Sequence, residues 1–197
     1  MQELALHILD LFRNAVEAGA RKVYIAVRED TASDRVEIEV RDDGRGMTPD
    51  QVRSACDPFF TTRTTRRVGM GLALLEAAAR QAGGDLRIES APGRGTRVVA
   101  SFQMSHLDRA PLGDMAATLE VAVANAEVDV EYEHWRDGRV FRFSTRELEE
   151  FLGVDARGDP GVLAWVNRYV AEGEKTLELC PAKGSGVAGA GKEVDSR

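Results

Sequence analysis

Val36-Glu37-Ile38-Glu39-Val40-Arg41-Asp42-Asp43-Gly44-Arg45-Gly46-Met47 is the stretch on which the fold turns. Val36, Ile38 and Val40 alternate with charged residues, the pattern of a strand with one face turned inward. The alternation stops at Asp42, and Gly44 and Gly46 follow at once. An aspartate at a strand end can aim its carboxylate at a ligand amine, while neighbouring glycines let the backbone come close to a flat ring. The same Asp-Gly-x-Gly pattern also makes a plain turn, and taken alone the stretch leaves both readings open.

On the N-terminal side, Val23, Ile25 and Val27 form a second alternating strand, joined to the first by the polar stretch 29–35. Before it, Leu4, Leu6, Ile8, Leu9, Leu11, Phe12, Ala15, Val16 and Ala18 predict a helix from about Glu3 to Ala18 that ends at Gly19. On the C-terminal side, Thr48-Pro49 can start a short helix and Asp57 to Arg67 reads as a polar loop around Phe59-Phe60. A helix follows from Met70 to Gln81, and then two strands, Leu86 to Glu89 and Thr96 to Phe102, joined by the Pro/Gly turn 91–95. This order predicts an α/β fold, a two-layer sandwich with helices on one face of a mixed or antiparallel sheet.

Beyond His106 the texture changes. A helix from Leu112 to Ala124, alternating Val128, Val130 and Tyr132, the turn Arg136-Asp137-Gly138, the strand Val140 to Phe143 and helices over 145–152 and 160–171 predict a small α+β C-terminal appendage. Ser144 and Glu147 have the spacing of a capping box. The expected organisation is therefore a first domain over residues 1–104, a C-terminal region over 105–180 packed on it or on a partner, and a tail over 181–197 rich in Gly and Ala. Trp135, Trp165 and Tyr169 read more readily as core anchors than as a partner surface.

The 197 residues carry a net charge of -7, which argues against a broad nucleic-acid or anionic-membrane surface. Cys56 and Cys180 match no metal-ligand spacing. No apolar run approaches the roughly 20 residues that span a bilayer, and the N-terminus has no leader-like pattern, so a cytoplasmic location is expected.

Gly69-Met70-Gly71-Leu72 opens a helix, where unpaired backbone N–H groups and the helix dipole favour an anion such as phosphate. It lacks the Lys-Ser/Thr ending of a P-loop. Asp10 and Asn14 stand four residues apart on one face of the first helix. Either they need a hydrated metal ion or phosphate-bound water as partner, or they form a solvated helix edge. His7, three residues before Asp10, reads as a helix-edge histidine, and His106 and His134 suggest no metal site.

The order and spacing of these motifs resemble the nucleotide-binding domain shared by DNA gyrase, the ninety-kilodalton heat-shock chaperone, sensor histidine kinases and MutL, the Bergerat ATP-binding fold. The resemblance covers about Leu4 to Phe102 and is nearest to small stand-alone histidine-kinase-like ATP-binding proteins. It implies ATP and Mg²⁺ as cofactors. It further implies Asn14 as the magnesium ligand and Asp42 as acceptor of the adenine amine, with Gly44, Gly46 and Met47 in the adenine loop. Phe59 resembles the aromatic of the motif before the ATP lid, and Arg63, Arg66 and Arg67 belong to a short lid able to screen phosphates. Gly69, Gly71 and Leu72 resemble the phosphate-cradling glycine motif, and Thr96 the threonine that supports the adenine aspartate through water.

The resemblance also frames the chemistry. Asp10 occupies the position where related ATPases and anti-sigma kinases usually carry a glutamate general base, and its side chain is shorter by about an ångström. In histidine kinases this position is commonly asparagine, and the nucleophile is a histidine on a separate helical domain. Two functions stay open: an enzyme that hydrolyses ATP or moves its γ-phosphoryl group to a protein partner, and a module that senses ATP or ADP and controls a partner without turnover. A homodimer is compatible with either.

Overall fold

The computed structural model describes residues 3–56, 71–125, 127–153 and 157–178. Helix α1 (Leu4–Glu17) leads into β1 (Lys22–Asp30), β2 (Arg35–Asp42), α2 (Pro49–Ser54), α3 (Gly71–Gln81), β3 (Leu86–Ser90) and β4 (Thr96–Gln103). The chain continues through α4 (Met115–Val123), β5 (Asp129–Arg136), β6 (Arg139–Ser144), α5 (Thr145–Leu152) and α6 (Pro160–Glu178). The strands make one six-stranded sheet in the order β3-β4-β2-β1-β5-β6. Neighbours pair antiparallel except β1 and β5, which run parallel from Lys22↔Asp129 to Glu29↔Arg136. The sheet is mixed because of this one pair, and the fold is α/β.

Alternation decides which face of the sheet is covered. Val23, Ile25 and Val27 of β1, Val36, Ile38 and Val40 of β2, Val98, Ala100 and Phe102 of β4 and Val130 and Tyr132 of β5 are buried. They share a single core with Ile8, Leu11 and Phe12 of α1, Leu75 and Ala79 of α3, Leu119 and Val123 of α4, and Val166 and Val170 of α6. The opposite face is written in charge. Glu39 accepts from Arg97 Nε at 2.7 Å and from Arg28 at 2.9 Å, and the hydrogen bond from Arg97 holds its carboxyl below the usual glutamate range.

The C-terminal region extends the same sheet. Besides the β1–β5 ladder, Leu4 N–H and Ala5 N–H donate to the carbonyls of Pro111 and Leu112 at 3.0 and 2.8 Å. Helix α1 has no side-chain cap at Glu3, so these carbonyls satisfy two of the N–H groups that a helix start leaves unpaired. The same bonds hold 111–112 out of helix α4. That helix begins at Met115 behind the cap Asp114, which accepts from Ala117 N–H, three residues later than periodicity predicts.

The expected capping box at Ser144 does not form: Ser144 makes no side-chain cap bond. It is still strand, paired with Glu131. The box forms instead at Thr48 and Gln51, with both reciprocal bonds present. At α5 the anchoring hydroxyl is that of the buried Thr145, which accepts from Val130 N–H at 2.9 Å. Thr145→Val should destabilise the fold by about 1–3 kcal/mol by orphaning that N–H, whereas Ser144→Ala should stay within roughly 0.5 kcal/mol; urea unfolding of both variants checks the difference. Trp165 and Tyr169 correct the core-anchor expectation, since they stack on each other at the surface of α6.

Candidate functional site

Four segments meet where α1 and β2 end. Asp42 is the last residue of β2 and pairs across the sheet with Thr96, the first of β4. Its Oδ1 accepts Gly44 N–H at 2.8 Å, and the Thr96 backbone N–H also bonds the carboxylate. Burial, partly offset by these bonds, raises its pKa above the usual aspartate range. The neighbouring Asp43 charge adds to the rise and no described cation opposes it, so Asp42 is a half-buried carboxylate held by two amides and left with acceptor capacity.

The loop after Asp42 is clamped from both sides. Toward α1, Arg45 N–H donates to Ala18 O at 3.0 Å and the Arg45 side chain donates to Glu17 O at 3.0 Å. Asp43 Oδ1 takes the N–H groups of Arg21 and Lys22 at 2.8 and 2.9 Å, fixing the start of β1. Toward the β3–β4 turn, Gly93 N–H donates to Arg45 O at 2.7 Å. Gly46 needs to be glycine twice over: its φ is 67°, and a Cβ would lie 2.0 Å from Ala91 O.

Ser90, which the sequence reading did not single out, ties this loop to the turn. Its Oγ accepts Met47 N–H at 2.9 Å, donates to Gly95 O at 2.8 Å and lies 3.0 Å from Thr96 Oγ1. A serine ending a strand before Pro and Gly carries no periodic signal; only the folded turn reveals these partners.

Asp10 and Asn14 lie on a half-buried flank of α1. Asp10 is 39% exposed, with Arg13 3.9 Å away, so this side of the helix is a half-open rim and not a buried polar face. Helix α3 starts against it: a Cβ on Gly71 would sit 3.6 Å from Asp10 Cβ. The α3 N-terminus and the Asp10–Asn14 flank thus meet, with Leu72 in the next position packing against the core. His7, one turn earlier, is buried and not at a helix edge; desolvation lowers its pKa, with the Asp10 charge opposing. His134 is also buried, with Nδ1 2.7 Å from Glu174 Oε2. Phe59, Arg63, Arg66, Arg67 and Gly69 lie outside the described residues.

The site thus offers an anionic acceptor at the end of β2, and carboxylate and amide oxygens beside a helix N-terminus where α1 meets α3. Residues 2–106, just over half the chain, match the family described as histidine kinase-, DNA gyrase B-, and HSP90-like ATPases. The chain belongs to that family. Among its relatives, Sensor histidine kinase ZraS of Klebsiella oxytoca is 40% identical over 90 residues, 45% of this chain and 19% of that protein. The Sensor histidine kinase ZraS of Salmonella typhimurium is 37% identical over 89 residues, with the same shares. The chain therefore spans about a fifth of the length of these curated relatives.

A solved structure, the N-terminal domain of a DNA repair protein, superposes with a TM-score of 0.52 at 16% identity, over 73% of this chain and 53% of that one. This likeness is one of fold. Its coverage exceeds residues 2–106, so the shared architecture includes part of the C-terminal region. Residues 2–106 are accordingly an ATP-binding domain of the histidine-kinase-like kind.

Among the described residues no cluster of three or more His, Cys, Asp or Glu could hold a metal, and no helix is long and apolar enough to cross a membrane. The donors at the α1 rim are hard oxygens, the Asn14 amide and the Asp10 carboxylate. They fit Mg²⁺, which is commonly held by one or two protein oxygens, substrate phosphates and water.

Proposed function

We propose that this protein binds Mg-ATP between α1, the 42–47 loop and α3, and either hydrolyses it or passes its γ-phosphoryl group to a protein partner. The observation that carries the reading is Asp42: a half-buried carboxylate, held by Gly44 and Thr96 amides and balanced by no cation among the described residues, at the strand end of an ATPase-family domain. Such a group is stabilised by a ligand that donates hydrogen bonds, and the adenine amine does so. The Gly44 and Gly46 backbone lets the ring approach, and Met47 lies on the same loop. Asn14 would hold Mg²⁺, whose role when bound is to neutralise phosphate charge. Gly71 and Leu72 open α3, whose N-terminal amides favour phosphate oxygens. Phe59, Gly69 and the lid arginines Arg63, Arg66 and Arg67 complete the proposed site from the segment before α3.

In the catalytic reading Asp10 takes the proton of the attacking water or protein hydroxyl. Asp10→Asn should then cut phosphate release or transfer by roughly 10²- to 10⁴-fold and leave ATP affinity within about twofold. Release from labelled Mg-ATP, with and without candidate protein acceptors, together with calorimetry of the variant, tests this. Wild-type turnover in the variant would refute Asp10 as the base.

A second reading, a nucleotide sensor that controls a partner without turnover, is favoured by the short side chain of Asp10 and by Arg13 3.9 Å from it. ATP binding with no phosphate release above background in the wild type selects it. Phosphoryl transfer and sensing both call for a protein partner, and the relatives are sensor histidine kinases. A cytoplasmic setting, where ATP is available, suits both.

A further inference from the structure

Hydrogen-bond counting around Ser90 fixes the direction of every proton in its cluster. A serine hydroxyl has one hydrogen to give and two lone pairs. The hydrogen goes to Gly95 O at 2.8 Å, because a carbonyl can only accept. One lone pair takes Met47 N–H at 2.9 Å. The contact to Thr96 Oγ1 at 3.0 Å must then use the other lone pair, which makes Thr96 the donor. With its only hydrogen committed to Ser90, the Thr96 hydroxyl can offer the site nothing but lone pairs. Its strand partner is Asp42, which also offers acceptor oxygen. Two side chains paired across the ladder at the mouth of the site, one on β2 and one on β4, therefore present acceptors alone.

We propose that Ser90 is a specificity-determining positioning residue: by holding Thr96 as a donor toward itself, it makes the Asp42–Thr96 pair select a base bearing an exocyclic amine and reject the corresponding oxo base. An amine brings two hydrogens directly to this pair and leaves no lone pair facing a lone pair. A 6-oxo purine brings its own lone pairs to the same place, where neither Asp42 nor Thr96 has a hydrogen to give, and a buried acceptor left unpaired is costly. Ser90 touches no ligand in this scheme and acts through Thr96.

The inference rests on the nucleotide reading above and is tested on the full chain with Mg-ATP and Mg-ITP, which share a triphosphate and differ at the purine 6-position. Calorimetry should give wild type a clear preference for ATP. In Ser90→Ala the Thr96 hydroxyl is free to turn and donate, and the ATP-to-ITP affinity ratio should fall on the order of tenfold. Ser90→Thr keeps the hydroxyl and should keep the ratio within about twofold. Thr96→Val, which leaves the Met47–Ser90–Gly95 bonds in place, should also collapse the ratio and decides the matter if Ser90→Ala does not fold. Equal weakening of both nucleotides at an unchanged ratio in Ser90→Ala, or an unchanged ratio in Thr96→Val, overturns the proposal and leaves Ser90 a structural tie. Wild type binding neither triphosphate is a different failure: it removes the nucleotide site itself, and this inference with it.

Discussion

Asp42→Asn is expected to abolish measurable ATP binding while leaving the nucleotide-free protein at least as stable as wild type. The two effects have one cause. Burial raises the pKa of Asp42, with the Gly44 and Thr96 amide bonds opposing, so in the empty site the charged form is disfavoured by folding. The sign follows by linkage: a carboxyl with a raised folded pKa lowers stability as pH climbs through the ordinary aspartate range to the raised value, and the deficit persists at neutral pH. An asparagine removes the charge, and its carbonyl oxygen can still accept the Gly44 N–H. It also points an amide NH₂ toward the adenine amine, setting donor against donor. A loss of about 100-fold or more in affinity is expected, since a charged partner is removed and a ligand donor is left unpaired. Calorimetry with ATP and ADP, paired with thermal unfolding of the free protein, reads both effects. Unchanged affinity would sink the assignment of Asp42, and a large fall in melting temperature would mean that the residue is held for structure.

The second large effect is expected from ending the chain after His106, which keeps every residue of the proposed site. This truncation should not unfold cooperatively and should not bind ATP. Eight residues of β1, from Lys22 to Glu29, lose their parallel partner β5 and become an open edge of the kind that promotes aggregation. Leu4 and Ala5 lose the Pro111 and Leu112 carbonyls, so α1, which carries Asp10 and Asn14, starts without a cap. The shared core loses Leu119, Val123, Val130, Tyr132, Val166 and Val170, and each large apolar side chain left uncovered on the remaining part forfeits about 1.5–3 kcal/mol. A net stability on the order of 5–15 kcal/mol does not survive several such losses. Residues 107–180 alone should likewise be poorly ordered. Circular dichroism during urea titration of both pieces tests the pair of statements, and a cooperative transition in either piece matching that of the whole chain would show that the sheet divides into independent units.

What the sequence determined by itself is the part written in neighbouring residues. The alternation over 23–27 and 36–40 produced β1 and β2 with their apolar faces on the core. The end of that alternation put Asp42 at the last position of β2. Gly46 marked a backbone that no side chain could follow, and the motif order from Asp10 to Thr96 was sufficient to indicate the ATPase family. These features are local because period, turn chemistry and motif spacing are set within a few residues.

Tertiary structure alone decided the rest. Nothing in Val128, Val130 or Tyr132 says that they lie parallel to β1, because a strand's periodicity tells which face is apolar and not which strand it joins. The cap of α1 comes from residues more than a hundred positions away, so Glu3 gives no sign of it. Ser144 has the spacing of a cap but is held in the ladder with Glu131, and Trp165 and Tyr169 have the chemistry of core residues but stack at the surface. Ser90 meets Gly95 and Thr96 through the β3–β4 pairing, and gains Met47 only when the 42–47 loop is brought to that turn by the β2–β4 pairing. For the β1–β5 pairing, the α1 cap and the Met47–Ser90 bond the deciding contact is long-range, and a long-range contact leaves no trace in the residues beside it.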